Sequence, residues 1–371
     1  MVLKARPGAA VRTMTYAEAA AEALAGAMAA DPTIVALGED LGRGGVFGQY
    51  RIAEPPGAGA SPAATDASPA VTGAASAAGE TGRAPPAQAP AWVTLQQRFG
   101  PGRVIDTPIS EATIVGAAVG MALSGLKPVV EMRVVDFALC AIDELVNQAA
   151  KNRFMFGGQS RVPMVVRMPI GIWASSAAQH SQSLESWFAH VPGLVVVCPS
   201  TPQDNYGLIR AALDSGDPVA YLEHKELWSS TGPVDPGLAV PIGRAARRHA
   251  GDDVTIVSWS RTAVEATAAA AELQAEGIGC DVLDLRSLWP WDREQVLASA
   301  ARTGRLLVAH EAVRVAGFGA EVAAVAAEET GCRVRRLGAP RIPVGYAPVL
   351  EAEARVDRGR IAAAVRAWLA A

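Results

Sequence analysis

Cysteine and histidine are scarce in this chain, at 4 and 5 of 371 residues, and aromatic residues make up only 5%. Cys140, Cys198, Cys280 and Cys332 lie 58, 82 and 52 residues apart. Without a Cys-x-x-Cys pair, neither a zinc ribbon nor a disulfide framework is indicated. The expectation is a reducing, cytoplasmic setting with all four thiols as small buried hydrophobes. No charge dominates: 33 Lys and Arg against 37 Asp and Glu give a net charge of −4, which excludes a strongly basic nucleic-acid binder. A long hydrophobic run is missing too. The smoothest stretch, Ile114 to Leu126, has 13 residues, against about 20 for a membrane span. Residues 1–13 carry Lys4, Arg6 and Arg12 but no apolar core, so no secretory leader is expected. Gly42, Gly44, Gly45 and Gly48 miss the G-x-G-x-x-G spacing, since Phe47 stands where the last glycine belongs, and Gly317 and Gly319 give half of it. A nicotinamide fingerprint is therefore rejected; Walker A, G-x-S-x-G and H-E-x-x-H motifs are absent as well.

What is present suits an enzyme of about two domains: half of the residues are hydrophobic and 19% are charged. From Ala53 to Ala91, 33 of 39 residues are Ala, Gly, Pro, Ser or Thr, and Val71 is the only larger aliphatic. Such a stretch cannot bury enough apolar surface to offset its ordering entropy. It reads as a low-complexity insertion in a surface loop, with a tether or partner contact as the alternative. Around it, short β-rich runs at 33–37, 103–105, 128–132, 163–168, 194–198 and 219–223 alternate with helical stretches at 16–29, 111–124, 137–155 and 203–213. That alternation argues for an α/β fold, with helices on both faces of a parallel sheet. Residues 226–250 suit a linker, and 251–371 form a second α/β unit with strands near 254–259, 280–285 and 306–310.

Ligands of open α/β sheets bind where strands end and helices begin. In Val104-Ile105-Asp106-Thr107-Pro108-Ile109-Ser110-Glu111 a strand runs into a helix. Ser110 can cap that helix and Glu111 would complement its dipole, or Glu111 faces a cleft as a proton donor or acceptor. His180, among small polar residues in Ala177-Ala178-Gln179-His180-Ser181-Gln182, suits proton transfer near neutral pH. Phe137 follows a strand and either stacks on a ring-shaped ligand or belongs to the core. His190 reads as a packed residue beside Trp187 and Phe188; His224 and His310 end strands.

Together, GED (38–40), RVIDTPISEATIVGAAVGMALSGLKPVVE (103–131), NQAAKNRFMFGG (147–158), AAQHSQSLESWFAH (177–190), PGLVVVCPSTPQD (192–204) and DLRSLWPWD (284–292) closely resemble the beta subunits of thiamine diphosphate-dependent 2-oxo acid dehydrogenases. The resemblance runs from about Met14 to the C-terminus, breaks only at 53–91, and is strongest to the pyruvate and acetoin branch, while HEA (310–312) with Gly317-Phe318 is also similar to the branched-chain branch. It implies a transketolase-like fold: a pyrimidine-binding domain at 14–225 after an N-terminal extension at 1–13, then a linker and a transketolase C-terminal-type domain. Glu111 falls on the family's catalytic glutamate, which hydrogen-bonds a ring nitrogen of the cofactor's aminopyrimidine. Phe137 falls on the aromatic packed against the pyrimidine, and His180 on the histidine that helps acyl transfer to a lipoyl group. The family also holds a potassium ion, largely through main-chain carbonyls, and Met164, Ala212, Leu213, Ser215 and Asp217 match those positions. Ser215 and Asp217 differ from the residues some relatives use.

The chain contains no G-D-G motif, with its later Asn, for diphosphate and magnesium. The resemblance therefore implies an alpha subunit that holds the magnesium, in an α2β2 assembly sharing thiamine diphosphate. The implied activity is decarboxylation of a 2-oxo acid, pyruvate first, or cleavage of acetoin, with the acyl unit passed to a lipoyl-bearing acyltransferase. The alternatives are a relative that transfers a two-carbon unit to an acyl carrier protein, and a non-catalytic scaffold. Arg133, where relatives are usually apolar, and Trp173 depart from the family pattern near the substrate pocket.

Overall fold

The computed structural model describes residues 10–45, 49–53 and 92–370. Residues 54–91 of the expected insertion lie outside them. The first half runs β1 (Arg12–Thr15), α1 (Tyr16–Ala30), β2 (Ile34–Gly38), β3 (Arg51–Ala53), β4 (Trp92–Thr94), α2 (Leu95–Phe99), β5 (Val104–Asp106) and α3 (Glu111–Leu123). It continues with β6 (Lys127–Glu131), α4 (Ala150–Met155), β7 (Val165–Ile170), α5 (Glu185–Ala189), β8 (Val195–Val197), α6 (Pro202–Asp214), β9 (Val219–His224) and β10 (Thr231–Val234). The second half holds β11 (Ala246–His249), β12 (Val254–Ser258), α7 (Ser260–Gln274), β13 (Cys280–Asp284), β14 (Ser287–Trp289) and α8 (Arg293–Thr303). It ends with β15 (Arg305–Val313), α9 (Gly319–Thr330), β16 (Arg333–Ala339), α10 (Pro348–Ala354) and α11 (Arg358–Leu369).

Local chemistry sets several starts. Thr15 and Glu18 form a reciprocal capping box on α1, and Thr201 and Asp204 do so on α6, where Pro202 pre-sets the first turn. The first sheet has the order β14–β8–β9–β7–β6–β2–β5 and is parallel except for β14, which runs antiparallel to β8. The central runs, such as Ile34–Gly38 and Val165–Ile170, are buried along their whole length, as strands covered on both faces must be. The second sheet has the order β11–β13–β12–β15–β16 with only β11 antiparallel. One apolar core runs through both units, joining Leu37, Val130 and Leu222 to Val257, Leu283 and Val322.

Several expectations are corrected. The helix expected over 137–155 is broken into a 3-10 helix (Val135–Ala141), a π-helix (Glu144–Ala149) and α4. Cys140 is exposed, while the other three thiols are buried; the 3-10 turn around it leaves its side chain outside the core. His190 is exposed as well. Ser110 precedes α3 but makes no side-chain cap; its hydroxyl donates to Thr113 Oγ1 at 2.8 Å. Residues 226–250, read as a linker, contain β10, which pairs antiparallel with β1, and β11. Pro233 in β10 is tolerated because the ribbon has only two strands and a free edge. No helix among the described residues is long and apolar enough to cross a membrane.

Candidate active site

Neighbouring parallel strands bring the candidate residues to one edge. Along the carboxyl ends of β9, β7, β6, β2 and β5 come His224, the loop bearing His180, Phe137, Glu39 and Glu111 in turn. Phe137 and His180 touch: their rings stand edge-on, with centroids 5.3 Å apart and planes at 84°. Glu111 follows β5, two strands from β6, which separates the strand ends by roughly 10 Å. A main-chain bond from Thr107 N to Gly38 O (3.0 Å) ties the turn after β5 to β2 before α3 begins. Glu111 then occupies the first position of α3, half-buried, and its carboxylate has no hydrogen bond or ion pair among the described residues. Ile114, Val115, Ala118, Val119 and Ala122 are buried on that helix and fix it to the core.

Glu39 lies in the field of Glu111. Burial, with Glu111 and Asp40 adding to it and Arg133 opposing, raises its carboxyl above the ordinary range. Arg133 pairs with Asp40, so it is a counter-charge inside an acidic group. Beneath the edge, Arg167 is fully buried and grips Glu223 through two hydrogen bonds of 2.8 and 2.9 Å. Glu131 accepts from Tyr50 Oη at 2.9 Å, and burial, opposed by Arg167, pushes its carboxyl up to about 7.

The loop after β7 carries His180, which is exposed. Gly171 opens it with φ +90°; a Cβ there would lie 2.1 Å from His224 Nε2, so only glycine fits. Gln182 Nε2 donates to Asp136 Oδ1 at 2.6 Å, and Lys225 Nζ donates to the His180 carbonyl. From the second sheet, Glu311 accepts from Ile172 N at 2.8 Å and pairs with His224 Nε2 at 3.0 Å. Sequence reasoning missed Glu39, Lys225 and Glu311. The signals on offer were the GED string, the position of Lys225 just past a strand, and the HEA string at 310–312.

The five residues matched to a potassium site gather at the opposite, amino ends of β7 and β9, where Met164 O accepts from Val219 N at 2.9 Å. The Ala212 carbonyl accepts from Ser215 N at 3.2 Å, the Asp217 carbonyl accepts from Ser215 Oγ at 3.0 Å, and the Asp217 carboxylate is held by Arg153. A cleft of about 990 Å³ opens beside the His180 loop, lined by Trp173, Ala174, Lys225, Glu226 and Arg261; Glu111, Phe137 and His180 are not part of its lining.

Comparison with known proteins follows this geometry. The profile "Transketolase, pyrimidine binding domain" matches residues 12–230, and "Transketolase, C-terminal domain" matches 243–361. The chain is 37% identical to the pyruvate dehydrogenase E1 component subunit beta-2, mitochondrial, of Oryza sativa, covering 92% of this chain and 83% of that protein. It is 41% identical to the acetoin:2,6-dichlorophenolindophenol oxidoreductase subunit beta of Cupriavidus necator, over 71% and 80%. It is 37% identical to the 2-oxoisovalerate dehydrogenase subunit beta of Bacillus subtilis, over 73% and 85%. Among solved structures, a split-gene transketolase described as an inactive beta4 tetramer superposes with a TM-score of 0.73 at 21% identity, covering 96% of this chain and 99% of that one; at that identity it speaks for the fold alone.

Proposed function

The chain belongs to the E1 beta subunits of the thiamine-dependent 2-oxo acid dehydrogenase family, and from that membership we propose that, with an alpha subunit in an α2β2 assembly, it decarboxylates a 2-oxo acid, pyruvate first, or cleaves acetoin, and passes the acyl unit to a lipoyl group. The observation that carries this reading is the unpartnered Glu111 carboxylate at the start of α3, just past the carboxyl end of β5, in a chain without a G-D-G motif. A carboxylate with no partner of its own fits the role of acceptor for a ligand N–H, and the missing G-D-G motif fits a site completed by another polypeptide.

When bound, thiamine diphosphate supplies the nucleophilic carbon that attacks the substrate carbonyl. Glu111 would hold the proton on the pyrimidine ring nitrogen, and Phe137 would pack against that ring while bracing His180. His180 would give an imidazole proton to the sulfur that leaves as the acceptor's S–S bond breaks and the new C–S bond forms. Two electrons pass from the acyl unit to the disulfide in that exchange, so the acyl carbon is oxidised and the acceptor reduced. Magnesium is assigned to the alpha subunit, and the carbonyls of Met164, Ala212, Leu213, Ser215 and Asp217 are the proposed potassium ligands.

Co-expression with the alpha subunit tests the reading. The assembly should bind thiamine diphosphate in titration calorimetry and the chain alone should not. Glu111→Gln should lower turnover by about 10²–10⁴-fold. Turnover equal to that of the unaltered assembly would favour a scaffold, and tight binding by the lone chain would overturn the shared site.

A further inference from the structure

The proposed mechanism gives Lys225 no role, yet Lys225 is 3% exposed and sits immediately after β9 with its Nζ on the main-chain oxygen of His180. The loop that it holds is an unusual one. Ala174, Ser175 and Ala177 have φ of 48°, 57° and 59°, and non-glycine residues keep that conformation only where surrounding contacts enforce it. Two contacts come from the second unit: Glu351 Oε2 accepts from Ser175 N at 2.8 Å, and Glu311 Oε1 accepts from Ile172 N at 2.8 Å. Both act on the first half of the loop. The second half is held by Gln182 on Asp136 and by Lys225 on His180 itself.

We propose that Lys225 is a positioning residue for acyl transfer: its ammonium, tied to the His180 carbonyl, fixes where the His180 imidazole meets the acyl unit and its acceptor. This rests on the reading that His180 serves that transfer. The charged groups facing Lys225 are Asp136 from the 3-10 helix, Glu311 from β15 and its neighbour Glu226; Arg261 lines the same cleft. Burial pushes the ammonium down to about 8, against those three carboxylates. Above that pH the amine keeps its N–H groups but loses the charge that strengthens the tether.

The test uses the co-purified assembly with whichever of pyruvate, acetoin and 2-oxoisovalerate it turns over. Two rates are measured on each preparation: reduction of an artificial electron acceptor, and transfer to free lipoamide. Lys225→Met should lower the ratio of transfer to dye reduction tenfold or more, in kcat and not in KM for lipoamide, and Lys225→Arg should restore it to within about threefold. In the unaltered assembly the ratio should fall as pH rises past about 8, and Lys225→Arg should move that fall to higher pH. If Lys225→Met lowers both rates equally, or neither, the positioning role is overturned. Should Lys225→Met fail to assemble, identical pH profiles for the unaltered and Lys225→Arg assemblies overturn it instead. His180→Ala separates the two ideas: a ratio left intact there, or no turnover of any of the three substrates, sinks the underlying reading and the positioning role with it.

Discussion

Glu185 and Glu311 are both buried carboxyls, and their surroundings push them in opposite directions. Glu185 accepts from Trp259 Nε1 at 3.0 Å, but its second oxygen has no partner among the described residues, and burial pushes it up to about 7. A raised folded value means stability that is present below the ordinary 4.5 and lost as pH climbs through about 7. Glu185→Gln keeps an acceptor for Trp259 and removes the charge. Its melting temperature, relative to the unaltered protein, should therefore improve by a few degrees between pH 5 and pH 8. For Glu311, burial would raise the carboxyl, but His224, Ile172 N and Arg261 outweigh it and hold the group at about 2. Its contribution is present above 4.5 and lost as pH falls toward about 2. Glu311→Gln should thus cost more in melting temperature at pH 7 than at pH 3. Equal losses at both would refute the ion-pair account.

At the scale of elements, the loop after β7 and the helix α1 make opposite demands on alanine. Ala177 sits at φ 59°, where a Cβ costs about 1–2 kcal/mol, whereas Ala23 is buried inside α1, where glycine costs about 1 kcal/mol against alanine. Denaturant melts should show Ala23→Gly destabilised by about 1 kcal/mol or more, and Ala177→Gly neutral or slightly stabilised. This contrast also marks where the sequence was legible. The central strands announce themselves as unbroken apolar runs, and the strand–Pro–helix passage at 104–111 placed Glu111 at a sheet edge without any structure. Position alone made Phe137 and His180 candidates, and only the family strings gave them roles, because a lone Phe and a loop His look the same in a core or a site. The broken helix at 135–155 was hidden because the segment contains no glycine or proline to mark the breaks. β16 was hidden by Arg333, Arg335 and Arg336, which are exposed. The contacts on the His180 loop join residues 45 to 176 positions apart, which no local pattern encodes.

Across the whole molecule, the two sheets are not separate bodies on a string. One apolar core joins them, and β14, which follows a strand of the second sheet in sequence, pairs with β8 of the first. Calorimetry of the unaltered chain should accordingly show one cooperative transition; two resolved transitions would contradict the shared core. The crossing strand also limits how this protein can be recombined with its relatives. A chimera cut in the residues after β10 would seat a foreign Ser287–Trp289 beside the native Val195–Val197. Grafts that carry both strands from one parent should fold, and those that split the pair should not.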